Sequence, residues 1–153
     1  PWAGYYNNTS ATLGCYDTQG WYYSGDLGYF SEQGNLYIVD RKKDILKYNN
    51  FHYSPSEIES VIMELQQVAE VCVFGVPDIV SVHLPAAVIV KVEGGILSES
   101  QVMEYVAEKL DNYKHLRGGV FFTESLPKTP SGKIVRRLVA DMFCPKAPCA
   151  RSL

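Results

Sequence analysis

This sequence predicts an α+β fold: a small domain with a mixed sheet, a hairpin and flanking helices, preceded by a β-rich stretch. Three observations carry that expectation. Residues 1–34 are rich in Gly, Tyr, Asn and Ser, with short strand candidates around GWYYSGDLGYF. The runs VAEVCVFGV, PAAVIVKV and GGVFFT have strand length, and β-branched residues recur in all three. Between and around them stand helix-start signatures at Ser54–Glu57 and Ser98–Gln101. A chain of 153 residues can bury one core, or one core plus a piece of another.

In chain order, Leu36–Asp40 (LYIVD) is a compact apolar strand, and the charged run DRKKD that follows marks a domain boundary at Asp40–Asp44. ILKYNNFHYS then reads as a hairpin whose turn uses Asn49 and Asn50, residues that tolerate positive φ. At SPSEIESVIMEL, Ser54 suits the N-cap, Pro55 the first helical position, and Glu57 a capping box. Ile58, Val61, Ile62 and Leu65 fall on one face of that helix. Two strands, a second capped helix (SESQVMEYVAEKL), a third strand and a closing helix over Ile134–Met142 complete the pattern. There is no internal repeat and no low-complexity segment.

Composition narrows the class. Hydrophobic residues make up 46% and charged residues 20%, which marks a folded soluble chain rather than a disordered one. The net charge of −3 without a basic block speaks against nucleic-acid binding. No apolar run is long enough to span a bilayer, and the start lacks a signal-peptide pattern. Cys15, Cys72, Cys144 and Cys149 show neither C-x-x-C spacing nor a nearby His, so a reduced, intracellular protein is expected, with no metal site. His52, His83 and His115 are scattered singly. The opening PWAGYYNN has no Met and no cap signal, which reads as a segment of something longer.

One motif raises a chemical question. LPKTPSGKIVRR (126–137) places Lys133 behind a Pro, Thr, Pro, Ser, Gly run. It is not a Walker phosphate loop: Pro127 occupies the first glycine position and Ile134 the place of the metal-binding hydroxyl. On its own residues it reads as a turn before the closing helix.

Four stretches taken together say more. YYSGDLG, YIVDRKKDILKYNNFHYSPSEIE, LRGGVFF and LPKTPSGKI, in this order and spacing, resemble the C-terminal part of adenylate-forming enzymes. That superfamily holds acyl-CoA synthetases, 4-coumarate–CoA ligases, beetle luciferases and nonribosomal-peptide adenylation domains; LRGGV leans toward the luciferase-like and fatty acyl-CoA synthetase branch. The resemblance covers nearly all of residues 1–143. It implies that 1–40 are the C-terminal remnant of a large N-terminal domain, 41–44 a hinge, 45–143 the small C-terminal domain, and 144–153 a tail.

The implied reaction joins a carboxylic acid, fatty or aryl, to ATP with Mg²⁺, giving acyl-AMP, and passes the acyl group to coenzyme A. An anion there attacks an anionic phosphate, so a cation must offset charge at the α-phosphate. By resemblance Lys133 is that cation, on a loop whose Pro and Gly let it swing. Asp26 of SGD matches the acceptor of the ribose hydroxyls, a role suited to a carboxylate facing a diol; by itself it reads equally as a turn aspartate. Arg41 matches a second nucleotide contact and Lys43 the hinge position. Lys47 matches the lysine that faces the site during thioester formation. Asn50 stands where the family usually has Gly, and His52 where Gln is common; both border the coenzyme A region. Ser24 replaces a common Thr.

The implied function is thus part of an ATP-dependent acid–thiol ligase. Alternatives are a luciferase-like monooxygenase of the same superfamily and a stand-alone, non-catalytic binding module. The expected partners are an N-terminal domain of the same enzyme and a small-molecule carboxylic acid. The end Arg151–Ser152–Leu153 differs from a peroxisomal S-K-L, so the cytoplasm is expected, with the peroxisome as alternative.

Overall fold

The structure, a computed structural model, describes residues 2–144. Cys149, the terminal Arg151–Ser152–Leu153 and all of the expected tail beyond Cys144 lie outside the described residues. The chain divides into two compact units, one running to Lys43 and the other starting at Asp44.

The first unit begins with a short helix that the sequence reading did not anticipate, α1 (Thr9–Leu13). Asn8 caps it, its side chain accepting the Ala11 N–H at 3.0 Å. Of the expected strands around GWYYSGDLGYF, the N-terminal part contributes only a Tyr16–Tyr22 bridge. The regular strand starts later, as β1 (Asp26–Phe30), and pairs antiparallel with β2 (Leu36–Arg41). Strand β2 runs one residue past the expected end because Arg41 is the register partner of Asp26. Gly28 sits at a bulge, where a Cβ would lie 2.6 Å from the Tyr37 carbonyl oxygen. Leu27, Tyr29, Phe30, Leu36, Tyr37, Ile38 and Val39 are all exposed in this ribbon. Trp2, Tyr5, Tyr16 and Tyr22 gather into an aromatic cluster, with Trp2 and Tyr5 edge-to-face at 4.8 Å.

The second unit is an α+β domain on a five-stranded mixed sheet. Its strands are β3 (Leu46–Tyr48), β4 (Phe51–Tyr53), β5 (Val68–Asp78), β6 (Val82–Lys91) and β7 (Gly119–Thr123). They follow the order β4-β3-β6-β5, with β7 parallel to β6. Asn49 carries the positive φ (51°) that the β3–β4 turn requires. Period-2 alternation explains why β5 and β6 read as unbroken apolar runs. Val71, Val73, Ala87 and Ile89 pack with Ile58 and Ile62 of α2 (Pro55–Ile62) and Val102 and Val106 of α3 (Glu99–Lys109). Cys72, Phe74, Ala86 and Val88 pack on the other side with Leu126 and with Val139 of α4 (Arg136–Phe143). Burial pushes the Cys72 thiol up to about 11.

Two local expectations are corrected. The Ser98–Gln101 capping box forms, but Ser54 makes no side-chain cap hydrogen bond at α2, and Glu57 turns instead to Lys114 Nζ at 2.6 Å. Lys114 is 8% exposed, and an ion pair satisfies its buried charge better than a cap would use the carboxylate. The closing helix starts at Arg136 rather than Ile134, because Ile134 bridges Lys128 and the Val135 N–H donates to the Pro127 carbonyl at 2.9 Å.

Candidate functional site

Asp26 and Arg41 come together through strand register. As partners in the β1–β2 ribbon they place Asp26 Oδ1 and Arg41 Nε 3.6 Å apart. Ser24 Oγ accepts the Asp26 N–H at 3.1 Å, and the Lys42 N–H donates to the Gly25 carbonyl at 2.8 Å, which fixes the turn beside the pair. A shallow cavity of about 390 Å³ opens there, lined by Ser24, Gly25, Arg41, Lys42 and Lys43. Acceptor oxygens next to a five-donor guanidinium suit a ligand with both hydroxyls and phosphate oxygens.

Lys47 stands in β3 directly opposite His52 in β4, one residue before Tyr48 and the turn that holds exposed Asn50. The Asn49 N–H donates to the Ser81 carbonyl at 2.9 Å, and Tyr48 pairs with Val82, so this hairpin is fixed to the start of β6.

Lys133 lies in a hairpin loop that is bonded internally rather than open. The Thr129 N–H donates to the Lys133 carbonyl at 2.8 Å, and the Lys133 N–H donates to Thr129 Oγ1 at 3.1 Å. The Gly132 N–H reaches the Thr129 carbonyl at 2.9 Å, with Gly132 at φ +84°. Lys128 and Ile134 bridge at the neck. Lys133 itself is exposed and, among the described residues, has no carboxylate at ion-pair distance.

The sequence reading did not find what holds this segment. Strand β5 is the sheet edge, and the Val73 N–H facing outward from it donates to Glu59 Oε1 of α2 at 2.8 Å. Arg136 Nη2 grips both oxygens of the same carboxylate, at 2.8 and 3.1 Å, and its Nη1 lies 3.9 Å from Asp44. Glu59 keeps the Arg136 pKa raised although burial opposes its charge. At the loop neck Lys128 Nζ meets Glu70 Oε1 of β5 at 2.6 Å. The only signal in the sequence was the basic run in KIVRR, which does not name its partners.

The arrangement groups Asp26, Arg41 and Lys43, and separately Lys47, Asn50 and His52. The hairpins that carry Lys47 and Lys133 attach at different places on the sheet. The Lys47 hairpin is anchored at Val82, and the Lys133 neck reaches β5 at Glu70, the register partner of Val90. Eight residues of strand separate those anchors, about 26 Å along β6. Among the described residues no group of three metal-binding side chains gathers, and no helix is long and apolar enough to cross a membrane.

Residues 57–133 match the model of the AMP-binding enzyme C-terminal domain, half of the chain. The chain belongs to that family. Its relatives come from the adenylate-forming superfamily. A luciferin 4-monooxygenase from Nipponoluciola cruciata is 41% identical over 148 residues, 97% of this chain and 27% of that protein. A putative acyl-coenzyme A synthetase from Emericella nidulans is 41% identical over 140 residues, 90% of this chain and 25% of that protein. Among solved structures, ATP-bound MatB from Rhodopseudomonas palustris superposes with a TM-score of 0.83 at 29% identity, covering 92% of this chain and 28% of that one. The chain therefore spans about a quarter of the length of the curated relatives it matches.

Proposed function

We propose that this chain is the C-terminal part of an ATP-dependent acid–thiol ligase that makes an acyl-adenylate and passes the acyl group to coenzyme A. The observation that carries this reading is the pair of lysines, Lys133 and Lys47, on separate hairpins, one attached at Val82 of β6 and the other at Glu70 of β5, the register partner of Val90. One small domain thereby offers two cationic faces, one for each half-reaction. The matched acyl-coenzyme A synthetase, and 4-coumarate–CoA ligase relatives at 36% identity, support the ligase class.

In the first half-reaction a carboxylate oxygen bonds to the α-phosphorus of ATP and pyrophosphate leaves. Lys133 offsets the negative charge gathering at that centre, an effect worth roughly 10²–10³-fold in rate. Asp26 accepts hydrogen bonds from the ribose hydroxyls, and Arg41 donates to the ribose or a phosphate. In the second half-reaction the thiol sulfur bonds to the acyl carbon and AMP leaves. Lys47 faces that step, Asn50 and His52 border the thiol arm, and Lys43 is the pivot between the two presentations. Magnesium accompanies ATP in this reading, and no residue of this chain is assigned to it.

Identity of 41% to a luciferin 4-monooxygenase favours a second reading, in which an adenylate made the same way is oxidised. Both readings share the test of the lysines. In the longest natural polypeptide carrying this segment, Lys133→Ala is expected to lose adenylation while still passing pre-made acyl-AMP to coenzyme A. Lys47→Ala is expected to do the reverse. Equal losses in both steps refute the two-face assignment, and an acid-independent turnover of luciferin adenylate with oxygen favours the second reading.

A further inference from the structure

The Lys133 hairpin is preformed, and something outside its motif has to hold it against the sheet. Inside the loop, bonds at Thr129, Gly132 and Lys133 close the ring but do not fix it to the domain. Leu126 and Ile134, one on each arm, pack against the sheet with Cys72 and Phe74. Two polar attachments add direction to that packing. One is the start of α4, through Arg136, and the other is the neck, where Lys128 Nζ meets Glu70 Oε1 at 2.6 Å. Glu70 is far away in sequence, on the edge strand, with its backbone locked in register against Val90. Its second oxygen, Oε2, is buried and has no hydrogen-bond partner among the described residues, while the side chain as a whole is 32% exposed, so Lys128 is the cation that faces this half-buried carboxylate. The Val135 N–H to Pro127 carbonyl bond and the Lys128–Ile134 bridge then carry the position of Lys128 directly into the two arms of the hairpin.

We infer that Glu70 is a positioning residue for the adenylation step, clasping the Lys133 hairpin to β5 through Lys128. The inference rests on the reading of Lys133 given above. Glu70 touches no reacting atom. It sets where the Lys133 ammonium starts from, and it has no equivalent part in the thioester step, whose lysine is anchored about 26 Å away along β6. Displacing an oriented group by an ångström is enough to cost rate without loss of fold.

The test uses charge reversal in the longest natural polypeptide carrying this segment. Glu70→Lys places two ammonium groups at the clasp, and Lys128→Glu places two carboxylates there. Each single variant is expected to lower kcat for adenylation about tenfold with little change in KM for ATP. Each is also expected to speed hydrogen exchange at the Gly132 and Lys133 amides. The double variant Glu70→Lys/Lys128→Glu is expected to return both to within about twofold of the parent. Transfer from pre-made acyl-AMP to coenzyme A should be unchanged in all three, which also reports that they fold; Glu70→Gln, a milder change, is expected to fall between parent and Glu70→Lys. If Lys133→Ala abolishes adenylation but the single reversals leave it intact, the clasp is overturned and the reading of Lys133 stands. Single reversals that slow both half-reactions, or a double variant without rescue, also overturn the clasp. If Lys133→Ala leaves adenylation intact, the reading itself falls and takes this role with it.

Discussion

Removing the Glu59 carboxylate is expected to be the most damaging single change at the edge of the sheet. In the structure that group does two jobs: it binds Arg136 at 2.8 and 3.1 Å and accepts the Val73 N–H at 2.8 Å. The side chains are 20% and 28% exposed, so water compensates little when the pair is broken. Glu59→Ala strands a partly buried guanidinium, at about 3 kcal/mol. It also orphans a strand amide, at about 1 kcal/mol more. Arg136→Met removes the charge but leaves Val73 satisfied, so about 2–3 kcal/mol is expected. Asp44→Asn, acting on a 3.9 Å contact with more solvent around it, should stay within about 0.5 kcal/mol. Both tryptophans, Trp2 and Trp21, lie in the first unit, so the second is followed by far-UV circular dichroism in urea. With an m-value of about 2 kcal/mol per molar, Glu59→Ala should move the midpoint by about 2 M. A Glu59→Ala no worse than Arg136→Met would refute the claim that Val73 depends on Glu59. Losses below about 0.5 kcal/mol in both would refute burial of the pair.

Two further outcomes follow from strain and from titration. Val82 is β-branched yet sits at φ +72°, a region that β-branched residues rarely adopt, and the residue is 43% exposed. Val82→Gly should therefore raise stability by about 1 kcal/mol, measured by urea unfolding, and a loss would show that the side chain earns its place by packing. Cys72 holds its proton up to about 11 against an ordinary value of 9.0, so the folded state binds that proton more tightly than the unfolded one. Its contribution is complete below pH 9 and is lost as pH rises toward 11, about 2–3 kcal/mol in all, and Cys72→Ala should flatten the stability profile over that window.

The fold of the second unit was legible because its signals are local or periodic. The Asn49–Asn50 turn, the Ser98–Gln101 box and the alternating cores of β5 and β6 each need only neighbours in sequence. Where partners are distant, the reading failed in specific ways. Glu57 fits a capping box by spacing, but Lys114, 57 residues on, needed a counter-charge under burial and took the carboxylate. Arg136 reads as one cation in a basic run, and its partner Glu59 is 77 residues away. Helix α1 was missed because TSATL is too short for any period to show, and only its tertiary setting and the Asn8 cap define it. Of the site, Asp26 and Arg41 could be named separately, but their adjacency is a product of β1–β2 register.

An edge strand exposes unpaired amides, and chains protect them with charge or cover. Here an ionic layer joins the apolar packing: Glu59 satisfies the edge amide of Val73, Arg136 compensates Glu59, and Lys128 meets Glu70 on the same strand. The segment carrying Lys133 runs between the second and third of these contacts. Protecting the edge and holding the lysine hairpin are therefore the same set of bonds. An apolar cover alone would have left the Val73 amide without an acceptor and fixed no particular register for the hairpin. Ion pairs with defined geometry fix one: Lys128 on Glu70 at the neck and Arg136 on Glu59 at the start of α4.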